Sequence, residues 1–328
     1  MAARKYIRYV TDDKLEKVSK KNVKLINQYF SFKNMNLSDD SKKSYQSDFN
    51  QFLVYLMEFH DNVFITDLLN EEDGIDDMVD ILEQYMMFCT SHLGNNERRV
   101  QRRMSSISSL FLYLRRKRKI KENPIEYLER PKAGAGEKTQ IKQTYLTEEQ
   151  VNEIRTKLAE QGDLQMEVYF ELALTSMARV KALNSIKLEQ INFESGIIEN
   201  VREKEGYDVT LYPSGRCMDL LNKWIEYRKE NNIECEHLFI TKREGKWEQI
   251  SKGTMQTSWV KKIGNLIDVK ELHNHDFRHS YATLLYNKGL PLEEVSKLLN
   301  HKSTDVTLSH YIKQDEGKLK DNKAKFEV

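Results

Sequence analysis

Near its C-terminal end the chain carries histidine, arginine, histidine and tyrosine in an order that could handle a phosphate. His275 and Arg278 form an H-x-x-R pair, His301 ends an L-x-H group after a helix-sized gap, and Tyr311 follows ten residues later. A guanidinium can hold a phosphodiester bidentately, and imidazoles beside it can donate hydrogen bonds or protons to the oxygens. A tyrosine hydroxyl within reach is a candidate nucleophile. An H-x-x-R pair alone is common by chance; the four groups in this order are much rarer. The competing chemistry is zinc, since His275 and His279 stand at i, i+4. Arg278 between them would set a cation beside the ion, and no cysteine or third well-spaced ligand follows, so no metal is expected.

Positioning these groups requires helices. Phe277, Tyr281, Leu284 and Leu285 repeat with helical spacing behind Asp276 as the expected N-cap, which would point His275 and Arg278 together from one end. Gly289-Leu290-Pro291 should stop that helix, and Val295, Leu298 and Leu299 should face inward from the next. Upstream, Met166 to Leu183 reads as a strongly apolar helical segment with Arg179 inside it. An arginine there is costly unless it has a partner or a ligand. The following run, INFESGIIENVREKEGYDVTLY, alternates as a three-stranded antiparallel sheet, with Lys204 at its second hairpin. A lysine on a turn is usually only solvated. Further helices are expected over 214–231 and 254–267, with a short strand near Leu238–Ile240.

The whole chain has 328 residues, enough for two ordinary domains. Lys and Arg (52) nearly cancel Asp and Glu (51), so net charge announces no polyanion. Distribution does. From Asp61 to Glu97 there is no Lys or Arg, whereas Arg98 to Lys121 holds ten basic residues and no acid. Arg98, Arg99, Arg102 and Arg103 are placed for DNA phosphates on one face, with Arg115, Arg116, Lys117 and Arg118 as a second cluster. A solvated charge run competes for that second cluster. The stretch lacks interleaved stacking aromatics, which argues against a general RNA or single-strand binder. Three widely spaced cysteines and no apolar run of membrane length point to a reducing compartment, with no membrane partner. The expected localisation is cytoplasmic, nucleoid-associated in a bacterial host.

Periodicity divides the chain into a helical N-terminal extension (1–36), a helical DNA-binding bundle (37–130), a linker (131–144) and a mixed domain (145–328). Ser38 should cap the first bundle helix, and Thr147 with Gln150 forms a capping box at the start of the mixed domain. The fold class is mainly α with a small antiparallel sheet (α+β).

The H-x-x-R, L-x-H and Tyr groups, with Arg179 upstream, resemble the phosphotransfer site of tyrosine recombinases, the phage integrase family. NLSDDSKKSYQSDFNQFLVYL is similar to the opening of that family's core-binding domain. The resemblance covers roughly residues 37–313 and implies a two-domain clamp on double-stranded DNA, without metal or cofactor. It implies that Arg179 and Arg278 stabilise a pentavalent phosphorane, that His275, Lys204 and His301 share the proton work, and that Tyr311 forms a 3′-phosphotyrosyl intermediate. It also implies self-association on DNA through the C-terminal tail.

The surroundings depart from the family pattern. T-G-x-R-x-x-E is here Ser176-Met177-Ala178-Arg179-Val180-Lys181-Ala182, and L-G-H is Leu299-Asn300-His301. Two glycines and the carboxylate that usually orients the first arginine are missing, and Tyr207, Asp208 and Val209 stand where the hairpin normally carries more basic residues. As a whole the chain also resembles SPβ-type prophage repressors built on this fold. The expected function is therefore a sequence-specific DNA-binding repressor that maintains lysogeny, regulating transcription with strand cleavage lost or impaired and under an unknown regulatory partner. The alternative is an active recombinase performing DNA integration.

Overall fold

A computed structural model describes residues 8–34, 37–129, 144–203 and 207–300, with Thr304 and Thr307. The chain divides into two compact units, Met1–Gln140 and Ile141–Val328. The stretch expected as a linker lies outside the described residues except for Thr144.

The first unit is helical: α1 (Asp12–Lys17), α2 (Lys20–Lys33), α3 (Asp39–Phe59), α4 (Ile65–Leu68), α5 (Gly74–Ser91) and α6 (Glu97–Arg116). Ser38 caps α3 by accepting from the Ser41 N–H at 3.3 Å. The N-terminal segment, expected to be helical, forms two helices. Val18 is extended at the end of α1, and α2 restarts the helix after Ser19. Leu25, Ile26 and Tyr29 of α2 are buried in the same apolar cluster as Phe49, Phe52, Leu82, Tyr85, Leu110 and Phe111. The segment 1–36 thus contributes to the bundle's core. The start of α5 lies so close to α4 that a Cβ on Gly74 would meet the Leu68 carbonyl oxygen at 1.8 Å, which only glycine permits.

The second unit begins with α7 (Glu148–Gln161), opened by the Thr147–Gln150 capping box. Next come α8 (Leu164–Thr175) and α9 (Val180–Ser185), followed by β1 (Ile191–Asn192), β2 (Ile197–Arg202) and β3 (Asp208–Leu211) in antiparallel order β1-β2-β3. α10 (Gly215–Glu230) precedes a second antiparallel pair, β4 (Ile240–Arg243) with β5 (Lys246–Gln249). α11 (Lys252–Thr254) and α12 (Val260–Leu266) are joined by a π-helical turn at Met255–Trp259. α13 (Asn274–Asn287) and α14 (Leu292–Leu298) complete the described elements.

Three local expectations change. The apolar run from Met166 to Leu183 is broken into α8 and α9, because Met177 adopts a left-handed backbone (φ 53°) that no helix accommodates. The strand near Leu238–Ile240 is the first arm of a hairpin whose second arm was not anticipated. α13 starts three residues earlier than expected: His273 is the N-cap, and Asp276 is the third helical residue, accepting from the His273 N–H at 2.7 Å.

Buried charges knit the second unit. Glu171 on α8 accepts two hydrogen bonds from Arg155 of α7, at 2.9 and 2.6 Å, and one from Ser214 at the head of α10 at 3.3 Å. An isolated buried carboxylate would be strongly disfavoured; the bidentate guanidinium compensates it and ties three helices together.

Candidate active site

Arg278 sits at the start of the second turn of α13, a helix whose beginning is fixed by Asp276 accepting from the His273 N–H. It is 1 % exposed. Its Nη1 donates to the Met177 carbonyl and its Nη2 to the Leu299 carbonyl, each at 2.5 Å. Both carbonyls adjoin left-handed backbone: Met177 itself has φ 53° and Asn300 has φ 51°. These are the two positions where the family pattern has glycine. The left-handed turns are therefore present without glycine. Asn tolerates this region through its short polar side chain. Met177 is instead held by packing, at 1 % exposure, in a cluster with Ala282, Val295 and Leu299.

Arg179 is the N-cap of α9 and its side chain is 30 % exposed. Its Nη1 donates to Oε2 of Glu203, whose side chain is only 7 % exposed. Glu203 follows β2 directly, and its backbone N–H closes the hairpin onto the Tyr207 carbonyl at 2.9 Å. A carboxylate thus faces Arg179 although position 182 is a buried alanine.

His275 keeps part of its surface open to solvent, while its ring lies edge-on to the buried His279 at 4.9 Å. Its pKa is pushed down to about 4, by desolvation and then by the positive charges of Arg278 and Arg179. Geometry brings the two arginines to one place, since Arg278 is bonded to the Met177 carbonyl two residues before Arg179. Arg179, His275 and Arg278, more than ninety residues apart at the extremes, share one locality whose charge favours an anion. Lys204, His301 and Tyr311 lie outside the described residues. Among the described residues no cluster of three His, Cys, Asp or Glu could hold a metal ion.

Glu203 was not anticipated. Its signal was nonetheless present: Val201 and Glu203 alternate with the exposed Arg202, so strand periodicity turns this acid inward on the arm that leads to Lys204.

In the first unit the basic positions divide. Arg98 and Arg99 are exposed at the start of α6. Arg102 donates to Asp48 of α3 at 2.8 Å, and Ser106 donates to the other oxygen of that buried carboxylate at 2.8 Å. Arg103 departs from the expected surface quartet. It is 5 % exposed and turned into the interior towards Tyr85, one helical step around from Arg102. Arg115 pairs with Glu126 at 2.8 and 3.0 Å, while Arg116, Lys117 and Arg118 are exposed. No helix among the described residues is long and apolar enough to cross a membrane.

Comparison with known proteins agrees with this architecture. The chain is 28 % identical over 288 residues to a tyrosine recombinase XerC of Syntrophus aciditrophicus, covering 83 % of this chain and 86 % of that one. It is 24 % identical over 271 residues to a tyrosine recombinase of Thermosipho africanus, covering 82 % and 87 %. Among solved structures, the Tn1549 transposon integrase in complex with circular intermediate DNA superposes with a TM-score of 0.63 at 16 % identity, covering 94 % of this chain and all of that one. A lambda integrase dimer bound to a COC′ core site gives 0.61 at 16 % identity, covering 89 % and 97 %. The mainly helical fold with a small antiparallel sheet is that of two-domain tyrosine recombinases. The Phage integrase family profile matches residues 144–318, more than half of the sequence and the whole span from the Thr147 cap through Tyr311, so the chain belongs to the phage integrase family.

Proposed function

We propose that the protein binds double-stranded DNA and is a tyrosine site-specific recombinase. The observation that carries this reading is the anchoring of Arg278, one turn after His275 on α13, to the Met177 carbonyl two residues before Arg179. Two guanidiniums beside a neutral imidazole suit a phosphodiester passing to a more highly charged pentavalent state. By family resemblance Tyr311 attacks the scissile phosphorus, the 5′ oxygen leaves with a proton from Lys204, and a 3′-phosphotyrosyl bond is conserved for religation. The left-handed backbone kept by Met177 and Asn300, and the carboxylate on Arg179, support a maintained site. The curated relatives are recombinases, which supports the same side. Arg98, Arg99, Arg102, Arg116, Lys117 and Arg118 would supply phosphate contacts from the first unit, with Arg115 divided between DNA and Glu126.

One observation favours a second reading, a DNA-binding repressor of a prophage with impaired cleavage. Arg278 is almost fully enclosed, and both terminal nitrogens already donate to backbone carbonyls. That is an arginine at work as a scaffold. Self-association through the C-terminal tail and an unidentified regulatory partner belong to either reading.

Tyr311→Phe separates the two. It keeps the ring and removes the phenol oxygen, so under the recombinase reading a covalent adduct on nicked genomic target duplex, and recombination, are expected to vanish while binding persists. Absence of any adduct with the wild-type protein, together with full repression by Tyr311→Phe, would establish the repressor reading instead.

A further inference from the structure

We propose that Glu203 is the positioning residue of Arg179, supplying from the end of β2 the carboxylate that α9 lacks at Ala182. The proposal rests on Arg179 being a phosphate-binding group. The described hydrogen bonding of the carboxylate goes to Arg179: Oε2 accepts from its Nη1, and Oε1 is buried with no hydrogen-bond partner among the described residues. Arg179 needs such a holder. It is partly open to solvent, and it caps a six-residue helix without a side-chain cap bond. A long arginine so placed would swing outward; a buried acid on the adjacent strand fixes where the fork points. Moving the acid from helix to strand has a second effect. The ion pair joins α9 to the hairpin arm directly before Lys204, so the placement of Arg179 and of that arm become one event.

Electrostatics alone and positioning predict different outcomes, which makes the claim decidable without DNA. His275 is depressed partly by Arg179, with Arg278 and His279 as its other described neighbours. Glu203 is not among the groups that set the His275 pKa, so removing its charge would by itself leave that pKa unchanged or lower it. Releasing Arg179 from its holder moves a cation away and raises it. The experiment is an NMR titration of the His275 ring in the full chain without DNA, the resonance assigned with His275→Gln.

Glu203→Gln is expected to raise the pKa by about half a pH unit or more, the scale of one screened charge contact. Glu203→Asp keeps the charge but withdraws the carboxylate, and is expected to move it the same way. In an Arg179→Gln background, which itself raises the value, Glu203→Gln should add no further rise. A fall or no change in Glu203→Gln, or a rise that persists without Arg179, overturns the proposal. A wild-type protein that cleaves no DNA would defeat the recombinase reading and leave this titration to judge Glu203 separately.

Discussion

His275 is a group whose charge state the fold controls in the mildly acidic range. Its pKa of about 4 lies below the ordinary value near 6.5, so between those values the unfolded chain binds a proton that the folded chain does not. Stability should therefore fall as pH drops from about 6.5 to about 4, and this contribution should level off below that window. A bound phosphate reverses the local bias and draws a proton onto the ring, so DNA affinity should rise on acidification through the same window. Urea unfolding and DNA titration of wild type and His275→Gln check both, the variant lacking this part of each slope. Met177 makes a separate residue-scale case. In the family pattern its position reads as a lost glycine, yet its side chain fills a cluster with Ala282, Val295 and Leu299. Met177→Gly would restore the easier backbone and leave a cavity, and the cavity should win: a net loss of about 2–3 kcal/mol by chemical denaturation. A neutral or stabilising result would mean that the backbone strain outweighs the packing.

At the scale of elements, α6 shows how far periodicity reaches. The helix and its buried face of Val100, Ile107, Leu110 and Leu114 follow from spacing, whereas its Asn96 cap comes from the structure. The fate of Arg102 and Arg103 does not, because two adjacent arginines on a helix lie about 100° apart and only tertiary packing decides which turns inward. Asp48, fifty-four residues away, takes Arg102, and Arg103 turns inward towards Tyr85. The two kinds of arginine should separate by assay. Arg98→Ala with Arg99→Ala should flatten the log–log salt dependence of DNA binding by about 0.9 per lost contact, with stability unchanged. Arg103→Ala should cost about 2–4 kcal/mol of stability, since it strips a buried side chain from the bundle. The candidate site was legible to a similar depth. Arg179, His275 and Arg278 were identifiable by type and order, because phosphate chemistry demands those groups. The break between α8 and α9 was hidden, since a methionine in a left-handed turn defeats any propensity scale. For Glu203, alternation after Val201 shows that the acid turns inward, but its pairing with Arg179 was hidden, because a partner beyond a neighbouring strand has no fixed spacing from the arginine it holds.

For the molecule as a whole, the two units carry separate apolar cores, one around Phe49, Tyr85 and Phe111 and the other around Phe170, Phe239 and Phe277. Each core has its own helices to close it, so each unit should remain folded when severed from the other. Limited proteolysis is expected to cut first between residues 130 and 144 and to yield two fragments that keep their circular dichroism and melt separately. Initial cleavage inside either helical set would contradict that independence. The Glu171 network with Arg155 and Ser214 lies wholly within the second unit, so Glu171→Ala should destabilise that fragment and leave the melting of the first unmoved. Losing the charge-assisted hydrogen bonds of this carboxylate should cost about 1.5–3 kcal/mol, since Arg155 is partly exposed and can turn to water.

The enclosure of Arg278 has an evolutionary consequence. Its two donated bonds join the break after α8 to the end of α14, so the polypeptide path around this point depends on the guanidinium whether or not DNA is ever cut. A descendant that abandoned catalysis would be under no pressure to discard this arginine and under considerable pressure to retain it. Tallies of active-site arginines would then overcount enzymes among such descendants. The phenol of Tyr311 carries no comparable duty in the inferred chemistry beyond attack on phosphorus, so drift at that oxygen is where abandonment would first be written.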